Sequence, residues 1–381
     1  MVVDVIADPR RARENARGRE LPPMEVASRI GRLRERLEEE HLGGLIVTSM
    51  SNVRYLSGFS GSTAMLLITS SRVVFLTDGR YKDQSAAQLE QAGVDADVVV
   101  GKNAEQMKAL ERGTSSLKQV GLESEDATWA FATQLSKELK PETKPTSKLV
   151  EALRVVKDAG EIARIERACD IADIAFAQTK ERMKSGITEA EFAAELDFEM
   201  RKRGAESVSF ATIVGSGPNA ALPHSQPSNR AIGEGELVVI DFGATFDGYH
   251  SDMTRTVCIG EPEGVAAAVL DAVAASQRAG MLAVKAGVVA GDVDRACRDS
   301  LAEAGYAEAF THSTGHGVGL EVHEAPSVAH QSEDVLEKNT VITVEPGVYL
   351  PGETGARIED TVVVTSSGCR PLTKTTKDAV I

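Results

Sequence analysis

Two aspartates sit on the arms of a hairpin that can be read directly from the chain. Val238-Val239-Ile240-Asp241-Phe242-Gly243 and His250-Ser251-Asp252-Met253-Thr254-Arg255 flank Asp247-Gly248. Asp-Gly between apolar runs is the signal for a two-residue hairpin turn. With that turn Asp241 lies opposite Thr254 and Asp252 opposite Gly243, so the carboxylates are diagonal neighbours on one face, roughly 7–8 Å apart. Such a pair repels unless something cationic lies between. By itself the hairpin leaves other readings open: one carboxylate faces solvent, or Arg255 neutralises it.

More acids follow at corresponding places. Val341-Ile342-Thr343-Val344-Glu345 ends an apolar strand in a glutamate, and Arg357-Ile358-Glu359-Asp360 places another on its partner. His316 lies in Thr314-Gly315-His316-Gly317-Val318-Gly319, where the glycines let backbone approach a ligand closely. Burying four carboxylates without cations costs several kcal/mol each, by the usual desolvation penalty. Asp241, Asp252, His316, Glu345 and Glu359 form an oxygen-rich donor set, which favours Mn(II), Fe(II) or Co(II) over a thiolate or poly-histidine zinc site. Two bridging carboxylates would hold two ions about 3.5–4 Å apart, and a water between them would be deprotonated near neutral pH.

The elements that must position these residues occur twice. Asp158 and Glu161 form a capping box ahead of Ile162, Ile165, Cys169, Ala172 and Phe176, and Thr188 and Glu191 form a second ahead of Phe192, Leu196 and Met200. From Glu263 onward a helix carries Val265, Val269 and Val273, and another is expected with Asp292 as its cap. Gly186 to Gly287 and Gly204 to Gly305 are both 101 residues. The order helix, helix, loop, strand, strand therefore recurs in one register. This spacing predicts an α+β domain of two halves about an approximate two-fold axis, which maps Asp241 onto Glu345 and Asp252 onto Glu359.

Ahead of it, Glu25 to His41 shows helical spacing. Leu45–Thr48, Ala64–Thr69, Arg72–Thr77, Val98–Val100 and Gln119–Leu122 read as strands, and Arg80–Gln91 and Thr128–Lys140 as helices, an α/β pattern. Pro141 to Pro145 reads as a linker. The expected division is a frayed tail over 1–23, an amino-terminal α/β domain over 24–150 and the repeat domain over 151–381; 381 residues suit two or three domains.

A net charge of −15 argues against nucleic acid as a partner. No run of eighteen apolar residues occurs, so no membrane-spanning helix is expected. Met1–Ala7 is too short for a secretory segment, and Cys169, Cys258, Cys297 and Cys369 read as reduced core thiols, which together point to the cytoplasm.

In order and local motif, Asp241, Asp252, His316, Glu345 and Glu359 resemble the metal ligands of the pita-bread metallopeptidases, which include Xaa-Pro aminopeptidases, Xaa-Pro dipeptidases (prolidases) and methionine aminopeptidases. Asn52-Val53-Arg54-Tyr55-Leu56-Ser57-Gly58-Phe59 and Thr77-Asp78-Gly79-Arg80-Tyr81 resemble the creatinase-like amino-terminal domain of the proline-specific branch. The resemblance implies hydrolysis of an Xaa-Pro bond, with a peptide bearing proline in second position as substrate. It implies a hydroxide bridging two divalent metals as nucleophile, Mn(II) first and Co(II), Fe(II) or Zn(II) as alternatives. His224, in Leu222-Pro223-His224-Ser225, matches the substrate-facing histidine and would orient the proline side. His323 matches the second such histidine and would hydrogen-bond the carbonyl oxygen. Glu345 would carry the proton to the leaving nitrogen. Arg357 matches the active-site arginine, with neutralisation of Glu359 or Asp360 as its plainer role. His312 matches a pocket histidine, or orients His316, or packs. A homodimer is implied by the amino-terminal domain. Two rival readings are a metal-free creatinase-like amidinohydrolase and an inactive binding module on the same scaffold; retention of all five ligands argues against both.

Overall fold

The computed structural model describes residues 21–381. The expected amino-terminal tail lies, up to residue 20, outside the described residues. The amino-terminal half is a mixed six-stranded sheet built from β1 (Gly44–Val47), β2 (Ala64–Thr69), β3 (Val73–Thr77), β4 (Asp97–Val100), β5 (Gln119–Glu123) and β6 (Glu142–Thr146), in the order β4-β3-β2-β1-β5-β6. Helix α1 (Val26–Glu39) buries Ile30, Leu33 and Leu37, the stripe its spacing predicts. Helices α2 (Met50–Ser57), α3 (Lys82–Ala92), α4 (Asn103–Thr114) and α5 (Trp129–Glu138) complete this half. Helix α4 escapes the periodicity because its larger apolar side chains are confined to Met107 and Leu110.

The expected linker is instead the edge strand β6, which runs parallel to β5 with Leu122 opposite Pro145. At a sheet edge one side of the strand needs no partner, so a proline without an N–H is tolerated there.

In the carboxyl-terminal half the short helix α6 (Glu151–Arg154) leads into α7 (Ala159–Lys180) and α8 (Glu189–Lys202), and both predicted capping boxes form. The second pair is α9 (Gly264–Ala283) and α10 (Ala290–Glu303). Asp292 is not the cap of α10: the helix starts two residues earlier, Asp292 falls in its first turn, and its carboxylate pairs with Arg295. Gly186, Gly204, Gly287 and Gly305 all take positive φ, between 85° and 99°, which glycine adopts without strain; Gly204 and Gly305 follow the caps of α8 and α10, while Gly186 and Gly287 lie in the turns between the helices of each pair. The 101-residue register thus marks equivalent turns and helix ends.

Helix α9 meets the length and hydropathy criteria for a membrane span. It nevertheless carries exposed Asp271 and Arg278, while Val269, Ala272, Val273 and Gly280 are buried against the second-half core.

Short strands follow the first helix pair: β7 (Ser207–Val208), β8 (Ile213–Ser216), β9 (Leu237–Phe242), β10 (Ala244–Phe246), β11 (Tyr249–His250) and β12 (Met253–Cys258). After the second come β13 (Gly315–Gly317), β14 (Glu324–Val328), β15 (Val341–Val344), β16 (Gly347–Leu350), β17 (Thr354–Arg357), β18 (Asp360–Val364) and β19 (Cys369–Pro371). The predicted hairpin register holds, with Asp241 opposite Thr254. Asp247 and Gly248 both take positive φ, at 45° and 71°, as a two-residue turn with right-handed twist requires. Each long hairpin is broken in the same way. β9/β12 continues into β10/β11, and β15/β18 into β16/β17, with the acids at the breaks or next to them. Helices α7 and α8 pack on one hairpin around Phe176, Phe192 and Phe242, and α9 and α10 on the other around Val273, Val344 and Val362. Among the cysteines Cys169, Cys258 and Cys297 are buried, Cys369 is half-buried, and all four are free.

Candidate metal centre

The breaks in the two hairpins face each other, and four acids meet there. Asp252, His316 and Glu359 each offer a ligand atom within 4.8 Å of the others. His316 Nε2 lies 3.5 Å from Asp252 Oδ2 and 3.4 Å from Glu345 Oε1. Asp241 joins through Arg357, whose Nη2 donates to Asp241 Oδ2 at 2.6 Å and whose Nε lies 4.0 Å from Glu345 Oε2. All five predicted ligands therefore converge.

The electrostatics are those of a cluster short of positive charge. Burial raises Asp252 and Glu359 well above the usual carboxylate range, and the neighbouring acids raise them further. Burial likewise pushes Glu345 up to about 8, against the opposing pull of Arg357. Burial holds His316 at about 4, so the ring is neutral. Its Nδ1 lies 3.0 Å from the Gly317 carbonyl, which can only accept. Nδ1 therefore carries the proton, and Nε2 turns a lone pair toward carboxylate oxygens. Lone pairs facing one another at 3.4–3.5 Å repel unless a cation or a proton lies between them. Two buried oxygens, Asp241 Oδ1 and Glu359 Oε1, have no hydrogen-bond partner among the described residues. The donor set thus fits divalent metal: four carboxylates and one neutral imidazole, with bare acceptors aimed inward.

Hydroxyls hold this set in place. Thr254 donates to Glu359 Oε2 at 2.8 Å and accepts from Arg357 Nε at 3.1 Å. Thr343 donates to Glu345 Oε1 at 3.3 Å and accepts the His316 N–H at 3.1 Å. Tyr349 donates to His312 Nε2 and accepts from Arg357 Nη1, both at 2.8 Å. His312 is held at about 4 by burial, with Arg357 adding to it. It packs edge-on against Phe310, and its hydrogen bonds run to Tyr349 and Ser313 rather than to His316. Arg357 makes its direct ion pair with Asp241 rather than with Glu359 or Asp360, and its charge also favours the ionised form of Glu359. Asp360 belongs to Arg255 and Lys377, so Arg255 is no counter-ion of Asp241 or Asp252.

His224 and His323 stand exposed at the margin. The His323 ring lies edge-on to His316, with centroids 4.3 Å apart. The segment carrying His224 is tied in by Arg357, which donates to the Pro223 carbonyl at 3.1 Å. It is also anchored by Glu189, a buried carboxylate that accepts from the backbone N–H and hydroxyl groups of Ser216 and Ser228 and from the Asn219 amide. Sequence reasoning missed Thr254, Thr343, Tyr349 and Glu189. Thr254 was findable, because the predicted register places it opposite Asp241.

A cluster of this kind, at the midline of two pseudo-symmetric α-α-β-β halves behind a smaller α/β domain, defines a metal-dependent peptidase of the pita-bread fold. Residues 163–366 match Metallopeptidase family M24, and residues 29–156 match the Creatinase/Prolidase N-terminal domain; the chain belongs to the M24 family. It is 35% identical to an Xaa-Pro dipeptidase of Pyrococcus horikoshii over 92% of this chain and 98% of the relative. The structure of an Xaa-Pro dipeptidase from Bacillus anthracis superposes with a TM-score of 0.90 at 38% identity, covering 93% of this chain and 99% of that one. An X-Pro aminopeptidase from Thermotoga maritima superposes with a TM-score of 0.83 at 36% identity, over 91% and 100%.

Proposed function

We propose that this enzyme hydrolyses the Xaa-Pro bond of dipeptides or of peptides with proline in the second position, using two divalent metal ions held by Asp241, Asp252, His316, Glu345 and Glu359. The observation that carries this reading is the convergence of these acids on a neutral imidazole, with buried oxygens left bare. Similarity to Xaa-Pro dipeptidases and to an X-Pro aminopeptidase supplies the substrate class. Mn(II) suits the oxygen-rich donors best. Divalent cations bound here would lower the pKa of a water toward neutrality and polarise the scissile carbonyl.

The chain's own residues supply the rest. Glu345 Oε1 takes the proton released at the nucleophile and passes it to the leaving proline nitrogen, which has no N–H of its own before cleavage. His323 donates to the carbonyl oxygen as it gains charge, a contribution typically of ~2.7–4 kcal/mol. His224 packs against the proline side of the substrate. Arg357 holds the Asp241 carboxylate in place through their ion pair, and His312 holds Arg357 through Tyr349.

The same reading includes a domain boundary near residue 150, between β6 and α6, a homodimer, and a cytoplasmic address without nucleic-acid or membrane partners. The test is a panel of Ala-Pro, Ala-Pro-Ala and longer peptides assayed with Mn(II), Co(II), Fe(II) and Zn(II). Cleavage of Ala-Pro alone means a dipeptidase, and cleavage of the whole panel an aminopeptidase. No cleavage of any peptide with any metal sinks the reading.

A further inference from the structure

Arg154 is a buried guanidinium in the short helix that joins the two halves, and it serves both of them. From the amino-terminal side its Nη1 donates to Asn52 Oδ1 at 2.8 Å. Asn52, fully buried in α2, is itself fixed by its amide, which donates to Glu123 Oε1 at 2.7 Å and to Glu151 Oε1 at 2.5 Å. Glu123 in turn accepts the backbone N–H groups of Thr48 and Ser49 at 2.7 and 2.8 Å, locking the end of β5 to the start of α2. On the other side Arg154 Nη2 pairs with Glu324 in a very short contact and with Glu321 Oε2 at 3.0 Å. Lys157 Nζ reaches the second Glu324 oxygen at 3.1 Å, and Glu324 also accepts the Glu321 N–H at 3.0 Å.

The Glu324 side chain is only 5% exposed, and the residue before it is His323, whose exposed ring lies against His316. The segment from Gly319 to Glu324 has backbone anchors as well: Gly319 accepts the His250 N–H at 2.9 Å and donates to the Glu321 carbonyl at 3.0 Å, the His250 and His316 side chains bond the backbone at Leu320 and Val322, and Glu324 opens β14 opposite Gly317. Among the described residues the His323 side chain makes no hydrogen bond; its ring leans on His316, and its backbone is carried by the anchored Glu324 beside it. A carboxylate gripped from two sides by buried cations is a stiff mount, because moving it would expose three charges to unpaired burial.

We propose that Glu324, fixed by Lys157 and by the Asn52-oriented Arg154, is a positioning residue through which the amino-terminal domain sets the aim of His323. This gives the Asn52-to-Phe59 motif a part in catalysis although it touches no reacting atom. The inference rests on the role assigned to His323 above.

The test is a double-mutant cycle on the Mn(II)-loaded full chain with Ala-Pro as substrate, comparing wild type, Glu324→Gln, His323→Ala and the double variant. Glu324→Gln is expected to lower kcat at least about tenfold with KM within about twofold, since an oxyanion contact acts in the transition state. In the His323→Ala background the same substitution is expected to change kcat less than about twofold. Asn52→Leu, more distant and uncharged, should show a smaller kcat loss that also vanishes without His323, and it carries the cycle alone if Glu324→Gln does not accumulate as folded protein by circular dichroism. Losses that simply add, or a loss confined to KM, overturn the positioning role while leaving the peptidase reading intact. A His323→Ala enzyme as fast as wild type overturns both the role of His323 and this inference.

Discussion

Arg357 and Asp241 meet at 2.6 Å across the two halves of the repeat, Nη2 on Oδ2, so a residue of the second half neutralises an acid of the first. The guanidinium is buried, and its remaining bonds go to Thr254, Tyr349 and the Pro223 carbonyl. In Arg357→Met, Asp241 would be left unpaired whenever metal is absent. Urea unfolding in chelator is expected to show a loss of about 3–5 kcal/mol. With Mn(II) the loss should be smaller, because the cation replaces part of the missing charge. Equal losses in the two conditions would separate Arg357 from the metal-binding acids.

Asp252 is buried among acids that repel it. Asp252→Asn is expected to reduce the Mn(II) retained after dialysis, read by elemental analysis, and to lower peptidase activity at least about 100-fold. The metal-free variant should unfold at higher urea than metal-free wild type, by about 1 kcal/mol or more, since a buried carboxyl that is costly to ionise among other acids is gone. A metal-free variant weaker than metal-free wild type would show that the acids do not repel.

Thr254 gives Glu359 its hydrogen bond and takes one from Arg357. Thr254→Val keeps the shape and removes both. Mn(II) affinity, measured by titration into the metal-free protein, is expected to fall about 10–100-fold, as is typical when the partner that orients a ligand is lost. An unchanged affinity would make the hydroxyl a spectator.

Glu324 carries a pH signature. Burial alone would raise its carboxyl, but Lys157 and Arg154 outweigh that and hold it at about 2, below its ordinary 4.5. A depressed folded pKa means that the stabilisation is present above the unfolded value and is lost as pH falls through the folded one. Wild type should therefore exceed Glu324→Gln by about 3 kcal/mol near pH 7 in urea unfolding, and the gap should narrow steadily below pH 4.5. A gap that stays constant down to pH 3 would mean that Glu324 is not the titrating partner.

Much of the catalytic half was legible because local rules govern it. Capping boxes at Asp158 and Thr188 act within one turn, and Asp247-Gly248 dictates its own turn, so the register that puts Asp241 opposite Thr254 followed without a fold. The repeat was visible because the turns between the paired helices and the ends of the second helices hold glycine at positive φ, and such positions stand out as landmarks. The reading failed where a neighbour overrode local pattern. Pro141 to Pro145 looks like a connector until β5 lies beside it, and Asp292 looks like a cap until the backbone of Ala290 turns out to be helical already.

The sequence by itself determined which side chains could bind metal, since carboxylates on paired strands and a glycine-flanked imidazole are fixed by spacing and type. Only the tertiary structure decided which charge answers which. Arg255 went to Asp360 and Arg357 to Asp241, and the fixing of Glu324 beside His323 fell to a guanidinium more than 160 residues earlier in the chain. Charge pairing depends on distance in space and on burial, and neither is written in the order of the residues.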